Sequence, residues 1–339
     1  MSKLLILLLS LMCVCAHAQQ LEAICNEEYP KALKKMLQKA SKSISIISLS
    51  MKTNTRLGRE IISILERANK RRIKVRILLE GDYKSLGEQN RETLQYLKEK
   101  NLDAKLDGEK YITHAKLIVV DSLHVLVGST NLTYASMIHN NESNVLIESR
   151  DAGKFYQKYF DALWKNDNKE YSLQSYSRDK RSIYFTDDNY INFVGKVIDG
   201  ARKEICIMMY MIKRLPWKKQ HPIEQLLHKL IKARKRGVRI RIVVEKTTAD
   251  AFNSHVTKFN KETAEYLQEH GIKTVFDDAE TTTHSKIVWV DGKQVVIGSY
   301  NWYSQSKTSN HQTGIVTGNR KVVQQFKKYF DEIYNKYKN

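Results

Sequence analysis

Two segments of the chain contain the same five polar residue types in the same order and at the same spacing. Residues 111–133 read YITHAKLIVVDSLHVLVGSTNLT, and residues 281–303 read TTTHSKIVWVDGKQVVIGSYNWY. Each segment contains H-x-K-x4-D followed by G-S-x-N. Side chains two residues apart in a strand lie on the same face. The spacing therefore predicts that each histidine and its lysine point the same way, while the residue between them enters the core.

These residue types suit the binding and cleavage of a phosphate ester. A lysine neutralises charge, hydroxyl and amide groups donate to the non-bridging oxygens, and an imidazole attacks phosphorus or moves a proton. One segment supplies one histidine, whereas in-line displacement at a phosphodiester needs a nucleophile and, on the opposite side, an acid for the leaving oxygen. We therefore predict that the two segments face each other in one site.

Two such segments in one chain resemble the phospholipase D superfamily, and the resemblance covers about residues 25–339. It implies a two-step reaction through a covalent phosphohistidine, without metal or other cofactor. It makes His114 the nucleophile, and His284 the acid that protonates the leaving group and then activates water. The implied catalytic set is His114, Lys116, Asp121, His284, Lys286 and Asp291, in which the lysines also hold the phosphate and the aspartates are more structural or orienting than chemical. The implied phosphate-binding set is Ser129, Asn131, Ser299 and Asn301, in which the serines also order the loops.

The two segments differ at one position downstream. Members of this superfamily often carry an acid after G-S that hydrogen-bonds a catalytic histidine, and Glu142 is the candidate here. The matching residue of the second half is Gln312. The difference predicts two histidines with different pKa values and different roles. An orienting carboxylate that marks the nucleophile would pair Glu142 with His114.

Other chemistries fit the spacing less well. A zinc site is disfavoured because a lysine ammonium beside each histidine repels a metal cation. A serine nucleophile is disfavoured because neither Ser129 nor Ser299 lies in a G-x-S-x-G elbow. A catalytically inactive member of the fold stays an alternative. The histidines outside the motifs are interpreted as ordinary surface or loop residues: His124, His139, His255 and His311.

The elements that must position these residues also occur twice. Residues 91–108 match residues 261–278, and residues 74–80 match residues 239–245. The apolar runs ISIISLSM, VRILLE and KLIVVD predict buried strands, and helices of ten or more residues alternate with them. The predicted fold class is α/β: two tandem phospholipase D-like α/β/α sandwich domains related by pseudo-twofold symmetry, with mixed sheets and helices on both faces.

The predicted domain boundaries follow from local composition. Residues 166–182 are polar and lack apolar periodicity, so the linker is placed there. The domains are therefore predicted at 19–168 and 183–339, joined by a linker at 169–182.

The first residues have the pattern of a secretory signal. Lys3 precedes the apolar run LLILLLSLMCVC, and Ala16-His17-Ala18 is a small-x-small cleavage site. The run is shorter than the ~20 apolar residues of a spanning helix. We expect cleavage after Ala18 and export to the periplasm or the extracellular space. Cys25 and Cys206 then remain, either as a disulfide or as two buried thiols.

The net charge of +20 favours anionic partners, either nucleic acid or acidic lipid. The segment 211–222, MIKRLPWKKQHP, is an insertion of the second half that places Leu215 and Trp217 among basic residues. This mixture suits contact with an anionic membrane, base stacking, or a surface loop whose tryptophan packs on its own domain. Trp289 is predicted in the core, and Trp302 and Tyr303 at the mouth of the site.

We expect a phospholipid or an anionic membrane surface as partner, nucleic acid as the alternative, and a monomer because both motifs lie in one chain. The first hypothesis for function is phospholipase D-type hydrolysis of phospholipid head groups. The alternatives are a secreted metal-independent endonuclease acting on DNA or RNA, a cardiolipin-synthase-like phosphatidyl transferase and a non-enzymatic basic module that binds nucleic acid or membrane.

Overall fold

A computed structural model describes residues 19–82, 84–108, 111–165, 175–177, 181–187, 189–247, 254–304 and 310–338. The predicted signal at 1–18 and most of the predicted linker lie outside this part of the chain. Among the described residues, no helix combines the length and the apolar character that crossing a membrane requires.

The first half of the chain alternates strands and helices up to a closing helix. Its elements are β1 (Gln20–Cys25), α1 (Glu28–Gln38), β2 (Ser43–Ser48), α2 (Arg56–Lys70), β3 (Lys74–Leu79), α3 (Lys84–Glu99), β4 (Asp103–Leu106), β5 (Ile112–Thr113), β6 (Leu117–Val120), β7 (His124–Gly128), α4 (Tyr134–Ile138), β8 (Ser143–Glu148) and α5 (Arg150–Lys165).

The second half repeats this order with small differences. Its elements are β9 (Ser182–Thr186), α6 (Asn189–Asp199), β10 (Glu204–Met209), α7 (Pro222–Lys235), β11 (Arg239–Val244), α8 (Ser254–Glu269), β12 (Thr274–Phe276), β13 (Lys286–Val290), β14 (Gln294–Gly298), β15 (Asn310–His311), β16 (Thr313–Thr317) and α9 (Arg320–Tyr337).

Each half contributes one seven-stranded mixed sheet. The orders are β1-β8-β7-β6-β2-β3-β4 and β9-β16-β14-β13-β10-β11-β12. In the first sheet β2, β3 and β4 are parallel, whereas β6 runs antiparallel to β2. The helices α2 and α3 supply the crossovers that parallel neighbours need. The predicted α/β class is confirmed. The strands β1, β4 and β8, and their counterparts β9, β12 and β16, were not predicted from the sequence.

Helices cover both faces of each sheet, as predicted. One apolar cluster joins α1 and α2 to the outer face of the first sheet, and a second joins α6 and α7 to the outer face of the second sheet. A third cluster contains the inner faces of both sheets together with α5 and α9. The two halves therefore share a continuous core, and burial of this apolar surface holds them together.

Strand direction brings both parts of each motif to one edge of the sheet. Because β6 is antiparallel to β2, its first residue, Leu117, pairs with Ile47 near the carboxyl end of β2. Leu117 also pairs with Val127, so Gly128 at the end of β7 lies beside Lys116. The fold thus delivers H-x-K and G-S-x-N to the carboxyl ends of the parallel strands.

Cys25 and Cys206 are both free thiols. Cys206 lies fully buried in β10, where burial and then nearby Glu204 raise its pKa to about 12. The structure therefore favours the buried-thiol interpretation over the disulfide.

Candidate active site

The two halves exchange backbone hydrogen bonds at the catalytic edge. β5 pairs in parallel with β15, and the His114 N–H donates to the carbonyl of His311 at 3.0 Å. In the same way, Asn141 forms a parallel bridge with Thr283, and the His284 N–H donates to the Asn141 carbonyl at 2.9 Å. Each catalytic histidine is therefore fixed by the backbone of the other half.

The side chain that orients each histidine also comes from the other half. His284 Nδ1 lies 3.0 Å from both carboxylate oxygens of Glu142. His114 Nδ1 lies 3.1 Å from the amide oxygen of Gln312. The predicted pairing of Glu142 with His114 is wrong, because the segment that carries Glu142 runs alongside residues 282–284. Glu142 does contact a motif histidine, but that histidine is His284.

An acceptor at Nδ1 decides the tautomer of each imidazole. The Gln312 oxygen also accepts from Ser299 Oγ at 3.1 Å, so it is the acceptor end of the amide that faces His114. A proton on Nδ1 then leaves Nε2 of His114 with its lone pair free for attack. His284 has the same tautomer, but its partner is a carboxylate that can stabilise an imidazolium.

The serines of G-S-x-N hold these orienting groups. Ser129 Oγ donates to Glu142 Oε2 at 2.5 Å and accepts from the Ser143 N–H at 2.9 Å. Ser299 Oγ donates to Gln312 and accepts from the Thr313 N–H at 3.2 Å. Since each hydroxyl has one proton to donate, neither serine can also donate to a phosphate, which corrects the predicted phosphate contact.

Gly128 and Gly298 permit this close arrangement. A Cβ on Gly128 would lie 2.3 Å from the Ser143 carbonyl oxygen, and one on Gly298 would lie 2.5 Å from the Thr313 carbonyl oxygen. A side chain at either position would push the serine away from the neighbouring strand. The glycine of the motif is therefore a packing requirement.

The two lysines enter the site from both halves. Lys116 Nζ donates to the His114 carbonyl at 2.7 Å, and Lys286 Nζ donates to the His284 carbonyl. Burial lowers the pKa of Lys286 to about 7, against the opposing effect of Glu142 and Glu245. Burial, and then the charge on Lys286, lower the pKa of Lys116 well below its usual range.

The histidines share this positive environment. Burial, followed by the charges on Lys116 and Lys286, lowers the pKa of His114 well below its usual range. Burial lowers the pKa of His284 to about 4, although Glu142 opposes this shift. Burial raises the pKa of Glu142, but the interaction with His284, followed by the charge on Lys286 and the hydrogen bond from Ser129, outweighs burial and lowers this pKa below its usual value. At neutral pH both imidazoles are therefore uncharged, and each lysine gains positive charge when an anion binds beside it.

Asn131 and Asn301 each carry a polar atom without a protein partner. Their buried Oδ1 atoms form no hydrogen bond within the described part of the chain. Buried polar groups in folded proteins are almost always satisfied. Since Oδ1 accepts hydrogen bonds, it would bind a hydroxyl group, whereas the Nδ2 group of each amide is the end that can donate to a phosphate oxygen.

Asp121 and Asp291 lie outside the site, which corrects their place in the catalytic set. Each follows the far end of its motif strand, about 16 Å along the strand from the motif lysine at ~3.3 Å per residue. Asp121 accepts from the N–H groups of Ser41, Lys42 and Ser43 at 2.7–2.8 Å. Asp291 accepts from those of Arg202, Lys203 and Glu204, at 2.8 Å each. The aspartates close the turn that precedes β2 or β10, which agrees with a structural role.

Two buried acid pairs beneath the histidines were not predicted. Glu80 Oε2 accepts from the Thr113 N–H at 2.5 Å. Glu245 Oε2 and Asp277 Oδ2 accept from the Thr283 N–H at 2.5 and 2.9 Å. Burial and then Glu80 raise the pKa of Asp107 to about 8, and burial and then Asp277 raise that of Glu245 to about 8. The sequence contained a signal for these pairs, because Glu80 and Asp107 match Glu245 and Asp277 in the repeated segments of the two halves.

Two aromatic positions and one histidine also differ from expectation. Trp302 is fully buried and donates to the Tyr190 hydroxyl at 2.7 Å, so it is not at the mouth of the site. Tyr210 is at the site instead, with its ring centroid 5.1 Å from that of His284. His311 is buried and accepts from the His114 backbone, so it is not a surface residue. Trp289 is in the core, as predicted.

One family model matches this chain over both halves. The family described as "Cardiolipin synthase, PLD-like domain" matches residues 33–164 and 194–334. Phospholipase D of Rickettsia conorii is 30% identical over 159 residues, which are 47% of this chain and 71% of the relative. Mitochondrial cardiolipin hydrolase of Chlamydomonas reinhardtii is 28% identical over 103 residues, which are 30% of this chain and 43% of the relative. The match thus spans less than half the length of this second relative.

Two solved structures share the fold. Phosphatidylserine synthase of Haemophilus influenzae Rd KW20 has a TM-score of 0.73 and 14% identity, over 93% of this chain and 86% of that one. Polyphosphate kinase of Porphyromonas gingivalis has a TM-score of 0.62 and 14% identity, over 92% of this chain and 50% of that one. These likenesses show a common architecture.

Proposed function

Because the chain belongs to the phospholipase D superfamily, in the family described as cardiolipin synthase, PLD-like domain, we propose that it hydrolyses phospholipid head groups. The reaction is a two-step displacement at phosphorus, with His114 as nucleophile and His284 as acid and then base. The observation that carries this assignment is the difference between the two orienting groups: a neutral amide at His114 and a carboxylate at His284.

The difference in charge suits the two roles. A nucleophile must keep the lone pair of Nε2, and a neutral acceptor at Nδ1 fixes the tautomer without favouring protonation. A general acid must hold a proton on Nε2, and the buried carboxylate of Glu142 stabilises the resulting imidazolium. Binding of an anionic phosphodiester between Lys116 and Lys286 adds negative charge to this buried site, so it raises the pKa of His284 from its lowered value and favours the protonated form.

In the first step, Nε2 of His114 forms a bond to phosphorus while the bond from phosphorus to the head-group oxygen breaks. His284 gives its Nε2 proton to that oxygen, and the head-group alcohol leaves. Lys116, Lys286, Asn131 and Asn301 are the groups available to the non-bridging oxygens. Fixed donors and cations of this kind stabilise the charge that develops in the transition state.

In the second step, a water oxygen attacks phosphorus from the side that the alcohol has left. His284 accepts a proton from this water, and the bond between phosphorus and His114 breaks. The product is a phosphatidic acid. His114 again has a free lone pair on Nε2, and His284 again carries a proton on Nε2 for the next leaving group.

Phospholipid is the proposed substrate class on two grounds. The relatives with matching sequence are named for phospholipase D and cardiolipin hydrolase, whose names refer to phospholipids. The net charge of +20 also concentrates anionic lipid at the protein surface. We further propose that the protein is exported and begins at Gln19 after cleavage, which N-terminal sequencing of the exported protein tests.

A substrate panel tests the proposal. The protein from Gln19 onward is incubated with vesicles of phosphatidylcholine, phosphatidylglycerol or cardiolipin, and with single- and double-stranded DNA and RNA, each with and without EDTA. The double variant His114→Ala/His284→Ala is the blank. We expect release of head group, unchanged by EDTA because two lysines supply the positive charge. Cleavage of nucleic acid alone would replace the proposal with an endonuclease, and binding without turnover on every substrate would favour a binding module.

A phosphatidyl transferase is the second candidate, because the matched family is described as a cardiolipin synthase. In that reaction an alcohol replaces water in the second step, and His284 takes the proton of its hydroxyl group. Adding phosphatidylglycerol or glycerol to the assay distinguishes the two: a transferase forms a new phosphodiester, whereas a hydrolase forms phosphatidic acid.

A further inference from the structure

The Trp217 loop, residues 211–221, exposes the largest apolar side chain on the described surface. Trp217 is 71% exposed, compared with 43% for Tyr134 and 37% for Tyr176. All five residues from 216 to 220 are exposed, and Lys218 and Lys219 follow the indole directly. The predicted alternative in which Trp217 packs on its own domain is wrong.

The fold holds the loop in this position. Leu215, two residues before the tryptophan, is 5% exposed. Its N–H donates to buried Glu224 at 2.5 Å, and its carbonyl accepts from the Lys218 N–H at 2.8 Å. The loop ends at α7, where the His221 side chain caps the helix and Pro222 begins it. A fixed loop loses little conformational freedom on binding, so the exposed indole is prepared for a partner.

The loop starts at the active site. Tyr210 is the residue before it and contacts the His284 ring, and Lys286 Nζ lies 5.3 Å from the Tyr210 ring centroid. The Lys213 N–H then donates to the Trp302 carbonyl at 2.7 Å, beside Asn301 of the second motif. The segment that carries Trp217 therefore begins beside the motif residues, and Trp217 lies a few residues further along the chain.

The surroundings of Trp217 disfavour nucleic acid. A groove of about 550 Å³ beneath the loop includes Phe259 and Tyr266, the rings on which bases could stack. Lys213 Nζ lies 3.9 Å from the Phe259 ring centroid, and Arg214 Cζ lies 3.4 Å from that of Tyr266. Each of these two rings therefore already has a cation against one face. The groove also offers a phosphate backbone no net positive charge, because its three cations, Lys213, Arg214 and Lys258, are balanced by three carboxylates, Glu262, Glu265 and Glu269.

A lipid bilayer would contact only the exposed tip of the loop and would not reach the carboxylates of the groove. An indole with adjacent lysines is the combination that inserts at the boundary between head groups and acyl chains, while the ammonium groups contact anionic head groups. We propose that the Trp217 loop docks this protein on anionic lipid bilayers and so places the active site against its substrate. The link to substrate rests on the proposed function; the docking itself does not.

Vesicle sedimentation tests the docking. The protein from Gln19 onward is mixed with vesicles of phosphatidylcholine alone or with phosphatidylglycerol added. We expect binding to the anionic vesicles, a loss of affinity of about tenfold for Trp217→Ala, and a similar loss for Lys218→Glu/Lys219→Glu. Lys321→Glu/Lys328→Glu is the matched charge control, since both lysines are exposed on α9 and their replacement should leave binding nearly unchanged.

A fluorescence measurement and a soluble substrate complete the test. Trp217 emission should shift to shorter wavelength on anionic vesicles, and the shift should vanish in Trp217→Ala. Turnover of a soluble nitrophenyl phosphodiester should be the same in wild type and Trp217→Ala. Equal vesicle binding by wild type and Trp217→Ala would overturn the docking proposal, as would a loss confined to oligonucleotide binding. Absent turnover of every phosphodiester would overturn the proposed function and leave the docking result standing.

Discussion

The two catalytic halves differ most at a single pair of side chains. Glu142 and Gln312 occupy matching places, each held by the motif serine of its own half and each in contact with the histidine of the other half. One presents a carboxylate and the other a neutral amide. A duplicated backbone thus supplies equivalent geometry twice, and the difference between a carboxylate and an amide gives the two histidines different electrostatic surroundings.

Removal of each histidine is the strongest way to break this comparison. We expect His114→Ala and His284→Ala each to lower turnover by about 10³-fold or more, since both the nucleophile and the proton transfer are essential. Rapid quenching with a labelled substrate should trap a phospho-enzyme only in His284→Ala. A trapped intermediate in His114→Ala would reverse the two roles.

Exchanging the orienting charges should have the next largest effect. Glu142→Gln removes the charge that stabilises protonated His284, so turnover should fall by about 10²-fold and the alkaline limb of the pH profile should move to lower pH. Gln312→Glu raises the pKa of His114, so the acid limb of kcat/KM should move to higher pH with a smaller loss. Shifts in the opposite directions would contradict the assignment.

The pH dependence of anion binding tests the contribution of Lys286. Burial lowers the pKa of Lys286 to about 7, so this group is protonated below that pH and loses its charge above it. The affinity for inorganic tungstate or phosphate should therefore fall as the pH rises through about 7, as calorimetry would show. Lys286→Met should weaken binding and flatten this dependence, and an unchanged pH profile in that variant would rule out Lys286 as its source.

The buried acid pairs should give the smallest effect, on stability. The pKa values of Asp107 and Glu245 are raised to about 8, so the protonated forms stabilise the fold and this contribution is lost as the pH rises from about 4 through about 8. Glu245→Gln and Asp107→Asn cannot ionise, so thermal unfolding should show a flatter decline of Tm toward alkaline pH. Glu245→Ala is the contrasting variant, with an expected loss of about 1–3 kcal/mol at pH 7 because the Thr283 N–H loses an acceptor. An equally steep decline of Tm in Glu245→Gln would assign the alkaline instability to other groups.

The predictable part of this protein was the part that the repeat and the strand periodicity specify. The apolar runs 43–48, 74–79 and 117–120 are strands, and the motif glycines lie where the chain packs closely. The edge strand β1 was missed because its pairing partner, β8, is more than 100 residues distant in the sequence. Trp302 was misplaced because the sequence does not show that the Tyr190 hydroxyl lies within reach of its indole.

The sequence by itself determined which residue types recur in the candidate site: two histidines, two lysines and two asparagines, at the same spacing in both halves. It also determined that one half carries an acid where the other carries an amide. Only the tertiary structure decided which histidine receives the acid, because that contact depends on the bridge between Asn141 and Thr283, where the two halves meet. It also decided that the motif aspartates close turns, since hydrogen bonds between residues 80 positions apart leave no local pattern.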